Sequence, residues 1–182
     1  MSTYIALFRG INVGRAKRVA MADLRTLLEG MGHSEVRTLL NSGNVVFDAP
    51  RANAGRLAAA IHQGFAQRFG FTASVTVLTA AELDAIIAEN PLLAMAKDPS
   101  RHLVGFAHDP KVLQPFKVLL KQQWHPDALV ISSRAAYLWC VKGVLDSPLS
   151  QAFGKLAGEG MTTRNWATVL KIQAAALTAP KA

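Results

Sequence analysis

Val36-Arg37-Thr38-Leu39-Leu40-Asn41-Ser42-Gly43-Asn44-Val45-Val46-Phe47 reads as two strands joined by a turn. Residues 36–40 and 45–47 are apolar and rich in strand formers. Asn41 to Asn44 between them tolerate the backbone angles of a hairpin. Upstream, Leu24, Leu27, Leu28 and Met31 recur at helical spacing, and Gly32 suits the position just past a helix end. Residues 4–8 before that helix form a short apolar strand. Downstream, Leu57, Ile61, Phe65 and Phe69 recur every four residues in a helix over 52–69. Val75 and Val77 then alternate in a strand over 73–78. The order is β-α-β-β-α-β, that of a ferredoxin-like unit. Leu24, Leu28, Ile61, Phe65 and Val75 are its expected core.

The pattern then begins again. Thr79 or a neighbour caps a short helix carrying Leu83, Ile86 and Ile87, which Asn90-Pro91 ends. A strand over 102–107 follows. Val112, Phe116, Leu119 and Leu120 then recur as the apolar face of a helix. Strands over 129–132 and 136–141 turn near Ser133-Arg134. Helices over 149–156 and 165–177 complete the chain. The second half is thus expected as β-α-β-β-α, with a helix where the first half has its closing strand. The predicted fold is α+β: two ferredoxin-like halves in tandem, mainly antiparallel sheets with helices on one face. The halves span 1–79 and 102–182, with a connecting helix and loop over 80–101.

The chain has 182 residues, with 20 Lys and Arg against 12 Asp and Glu, a formal charge of +8. Such an excess either serves solubility or favours anionic partners. Arg9, Arg15, Lys17, Arg18 and Arg25 concentrate it near the first loop. Cys140 is the single cysteine, so no disulfide forms within the chain, which fits a reducing cytoplasm. No apolar run approaches the roughly 18 residues of a membrane span. No basic region precedes the first apolar run, so the N-terminus does not read as a signal peptide.

The candidate chemistry lies in two motifs. Phe8-Arg9-Gly10-Ile11-Asn12-Val13-Gly14 leaves the first strand. Its glycines allow close backbone approach to a ligand, and Arg9 offers a fork of donors for carboxylate or phosphate. Strand order alone allows this loop to lie beside the Ser42–Asn44 turn or at the opposite end of the sheet. If they meet, Arg9, Asn12, Ser42 and Asn44 line one polar site; otherwise each is an ordinary loop. Thr162-Thr163-Arg164-Asn165-Trp166 is the second motif. A threonine there suits a helix N-cap, whose free N–H groups favour an anion. Arg164 opposes the dipole unless it faces an anion or carboxylate. Two arginines sharing a site need such a group between them, with Asp23, Asp48 and Glu159 as candidate partners. Trp166, Tyr137 and Trp139 read better as core than as base-stacking platforms.

Other chemistries find no support. The chain carries no phosphate-binding G-x-x-x-x-G-K-[ST] loop and no G-x-S-x-G elbow. The five histidines show no metal-ligand spacing, and Cys140 reads as inert. No cofactor and no metal are expected.

The chain resembles an uncharacterised bacterial family, domain of unknown function 1697, from Tyr4 to about Ile172. The resemblance is carried by Ala6-Leu7-Phe8-Arg9-Gly10-Ile11-Asn12-Val13-Gly14, Met21-Ala22-Asp23-Leu24-Arg25 and Asn41-Ser42-Gly43-Asn44-Val45-Val46-Phe47. Asn90-Pro91 and Thr163-Arg164-Asn165-Trp166-Ala167-Thr168-Val169 complete it. The chain departs at Arg15, where the family tends to repeat a glycine, and at Ala20, where proline is usual. The resemblance implies an α+β fold with two related halves and supplies no activity.

The sequence therefore predicts a cytoplasmic protein that binds a nucleotide, nucleic acid or other anionic ligand. The expected contacts are Arg9, Gly10, Asn12, Gly14, Ser42, Asn44, Arg164 and Asn165. A cofactor-independent enzyme acting on a phosphorylated small molecule, and a structural or partner-binding module with no ligand, are the alternatives.

Overall fold

The computed structural model describes residues 1–14, 16–158 and 160–178. Two compact units emerge, Met1–Leu83 with the segment from Lys171 onward, and Asp84–Leu170.

The first unit contains strand β1 (Ser2–Arg9), helix α1 (Met21–Gly30), β2 (Ser34–Leu39), β3 (Asn44–Ala49), α2 (Ala54–Phe69) and β4 (Ser74–Thr79). Its antiparallel sheet has the order β2-β3-β1-β4, which is the ferredoxin-like arrangement. Tyr4, Ala6 and Phe8 of β1 point to one face with Val45 and Phe47 of β3. Leu24 and Leu28 of α1 and Ile61 and Phe65 of α2 pack on that face, so both helices cover the same side. The Phe65 ring packs, tilted, with its centroid 5.4 Å from that of Phe8 and 4.7 Å from that of Phe69. Helix α1 ends as expected around Gly32, in a double-bonded C-terminal motif. The His33 N–H donates to the Leu28 carbonyl and the Gly32 N–H to the Glu29 carbonyl. Val75, expected in the core, is only partly buried against it.

The second unit contains most of α3 (Ala80–Ala88), then β5 (His102–Ala107), β6 (Ala128–Ile131), β7 (Ala135–Trp139), α4 (Pro148–Leu156), β8 (Met161–Asn165) and the start of α5 (Trp166–Leu177). Thr79 does cap α3. Its hydroxyl accepts from the Glu82 N–H while the Glu82 carboxylate accepts from the Thr79 N–H, a reciprocal cap.

The second sheet has the order β6-β7-β5-β8, the same arrangement as the first. Two expectations are corrected here. The closing strand thought missing from the second half is β8, which pairs antiparallel with β5 from Met161 to Asn165. The β-branched pair Thr162-Thr163 suits that strand better than a helix start. The helix expected over Val112–Leu120 is instead two short 3-10 turns, Pro110–Leu113 and Pro115–Lys121. Pro115 lacks the N–H that a continuous helix would need there. Phe116 and Leu119 still reach the core, but Leu120 is exposed. Phe116 packs on Phe153 of α4 at 4.5 Å. Among the described residues, no helix is long and apolar enough to cross a membrane.

Candidate functional site

The first loop and the hairpin meet. Because β1 and β3 are antiparallel, Leu7 near the end of β1 lies opposite Asn44 at the start of β3. The Phe8 N–H continues the ladder by donating to the Gly43 carbonyl at 2.8 Å. The chain then leaves the sheet through Gly10 at φ 83°.

Asn12 joins the two segments. Its Nδ2 donates to the Asn41 carbonyl at 2.8 Å and to the Val19 carbonyl at 2.9 Å. Its Oδ1 accepts from the Val19 N–H at 2.8 Å, and its own N–H donates to the Lys17 carbonyl. One carboxamide thus closes the loop on itself and pins it to the hairpin. Asn44 plays the matching part on the other side. It is fully buried, and its Nδ2 donates to the Leu39 carbonyl and the Ser42 hydroxyl.

Left-handed backbone is concentrated here. Asn12, Lys17 and Leu40 have φ of 55°, 54° and 57°, and Gly14 and Gly43 lie at 64° and 76°. Gly43 is obligatory on two counts. A Cβ there would fall 2.6 Å from Ile11 Cδ1 and 2.7 Å from Phe8 Cβ. Around this framework, Arg9 is half-buried, while Lys17, Arg18 and Ser42 are exposed.

Arg164 and Asn165 belong to the second unit. The N-cap reading of Thr162-Thr163 is corrected: both lie in β8, and Asn165 is the residue that caps α5, its Oδ1 accepting from the Thr168 N–H. Arg164 is buried, and its Nη1 donates to the Thr162 hydroxyl and the Thr163 carbonyl, each at 2.8 Å. Burial lowers its pKa to about 10. Of the carboxylates proposed to sit between the arginines, Asp23 pairs with Arg68 at 3.7 Å and Asp48 accepts from the Thr3 hydroxyl at 2.7 Å. Glu159, like Arg15 in the first loop, lies outside the described residues.

The other strongly shifted groups also sit in the second unit. His102 is fully buried and stacks on Trp166 at 5.2 Å. The Asn90 Oδ1 accepts from the Leu92 N–H, so its Nδ2 faces His102 Nε2 at 3.2 Å. That contact leaves the ring proton on Nδ1, which has no partner among the described residues. Desolvation lowers the His102 pKa to about 4. Burial raises Tyr137 to about 12, and its hydroxyl donates to the Ile86 carbonyl. Cys140 is buried just past the end of β7, and burial raises its thiol.

Sequence reasoning overlooked a cavity in the second unit, lined by residues between Trp124 and Pro148. No local motif marks it, because its walls come from two segments that the β6–β7 pairing and the Asp127 carboxylate bring together.

The model of the family described as "Protein of unknown function (DUF1697)" matches residues 1–137. Among solved structures, the chain is similar to the conserved bacterial protein SP0830 from Streptococcus pneumoniae. The identity is 24%, over 98% of this chain and 99% of that one, with a TM-score of 0.82. That likeness bears on the fold. No curated protein matches the chain.

Proposed function

The chain belongs to the DUF1697 family, whose description names no activity, and we propose that its first unit binds a phosphate-bearing ligand, a nucleotide or nucleic acid. The observation that carries this reading is the gathering of left-handed backbone where the two loops join. Three non-glycine residues, Asn12, Lys17 and Leu40, adopt it there. Each such residue costs on the order of 1–3 kcal/mol, and such strain collects at ligand clamps. Left-handed turns also shape concavities of backbone N–H groups that suit anions. The formal charge of +8, with Arg9, Lys17 and Arg18 beside these turns, favours an anion.

In this reading Gly10, Asn12, Gly14, Ser42 and Asn44 shape the cradle, and Arg9 and Arg18 supply charge. Arg164 and Asn165, committed to strand and cap contacts, serve the second unit.

The test is an NMR titration with inorganic phosphate, AMP, single-stranded RNA and duplex DNA at low salt. Saturable shifts at residues 9–18 and 41–44 are expected, and affinity should fall with added salt. Arg9→Ala and Arg18→Ala should each weaken binding by about tenfold. Silence from all four probes removes the reading.

The inward use of the Asn12 and Asn44 carboxamides favours a second reading, in which the motif serves folding alone. It predicts that Asn12→Ala lowers stability and that none of the four probes binds to the native protein.

A further inference from the structure

A cavity of about 160 Å³ opens in the second unit, with Trp124, Asp127, Lys142 and Asp146 on its walls. Its lining shares no residue with the loop-and-hairpin site. The Asp127 carboxylate ties its two sides together. Oδ1 accepts from the Val141 N–H at 2.8 Å, and Oδ2 from the Ser147 hydroxyl at 2.6 Å. Ser147 in turn caps α4 by accepting from the Ser150 N–H. The Trp124 indole is fixed as well, its Nε1–H donating to the Leu119 carbonyl at 2.7 Å. The walls are therefore set before any ligand arrives, which lowers the cost of binding.

The lining is apolar at Trp124, Pro126 and Pro148, and it carries two carboxylates, Asp127 and Asp146, against one ammonium, Lys142. Its charge is thus negative in a chain whose formal charge is +8. An apolar cavity of about 150 Å³ takes benzene, so a ligand of about six heavy atoms fits a space of this size. A positive group gains from both carboxylates and from an indole face. Each Asp127 oxygen has a second lone pair beyond the bond it already accepts. We propose that this cavity binds a small organic cation, an alkylammonium or guanidinium group with a short apolar body. Lys142 weakens the binding by repulsion.

The probes are n-butylammonium, 1-butanol and butyrate, nearly equal in size and differing in charge. Each is titrated into the full chain at constant ionic strength while NMR follows the Trp124 indole N–H and the Asp146 and Ser147 amides. Saturable shifts with n-butylammonium alone are expected. Asp127→Asn is avoided because it loosens the walls. Asp146 is exposed, so Asp146→Asn keeps the fold and should weaken the cation by about two- to fivefold. Lys142→Ala should tighten it by a similar factor. Equal shifts with 1-butanol would mean an apolar hole without charge selection. Stronger binding of butyrate would mean that Lys142 dominates. Either result, or no saturable shift with n-butylammonium, overturns the proposal.

Discussion

The carboxamide of Asn12 reaches the Asn41 carbonyl at 2.8 Å, so a residue in the first loop holds a residue in the hairpin turn. Truncation removes three side-chain bonds at once and leaves an alanine at φ 55°. Asn12→Ala should lower unfolding stability by about 2–3 kcal/mol. Urea denaturation measures this. A loss near zero would mean that the loop stands without its bracket.

Gly43 and Gly10 separate strain from crowding. Both have positive φ, but a Cβ at Gly10 meets nothing within 4 Å, whereas one at Gly43 collides with Ile11 and Phe8. Gly10→Ala should cost about 1 kcal/mol. Gly43→Ala should cost at least about 2 kcal/mol more and shift the resonances of Phe8 and Ile11. Equal losses for the two would show that the loop moves away from the hairpin freely.

Phe65 is fully buried among Phe8, Phe69 and Phe71. Phe65→Ala should cost about 3–5 kcal/mol, from lost burial and the cavity left behind. Calorimetry or urea titration checks it. A cost below about 1 kcal/mol would show that the neighbouring rings refill the space.

His102 gives the second unit a dependence on acid. Its folded pKa is about 4 and its ordinary value 6.5. Between those values the unfolded chain holds more protons than the folded one, so stability falls as pH drops through that window. The full loss approaches about 3 kcal/mol at pH 4. His102→Leu should flatten this segment of the stability profile. Profiles that run parallel for the two proteins would place the acid sensitivity elsewhere.

Sequence periodicity made the first unit readable almost residue by residue. Leu24 and Leu28, and Ile61 and Phe65, lie on single faces of α1 and α2, and local pattern determines burial there. Periodicity misled where a local feature overrode it. Val112, Phe116 and Leu119 keep helical spacing, yet Pro115 breaks the backbone bonding that spacing implies. Met161-Thr162-Thr163-Arg164-Asn165 abuts a helix, and its polar residues masked a strand whose place the repeat itself required. The meeting of the loop and the hairpin was open in the sequence because it depends on strand direction across the sheet. The cavity was invisible, since Asp127 and Ser147 are far apart and neither belongs to a motif.

The chain returns at its end to the body in which it began. The segment from Lys171 belongs with the first unit, and Arg37 of β2 donates to the Thr178 hydroxyl at 2.9 Å. During synthesis, β1 can find its partner β4 once residue 79 has left the ribosome. The last piece of that same body emerges only after the whole second unit has been made. The first unit therefore lacks this piece while residues 84–170 are being made, and a fragment released at Leu83 would remain in that state permanently.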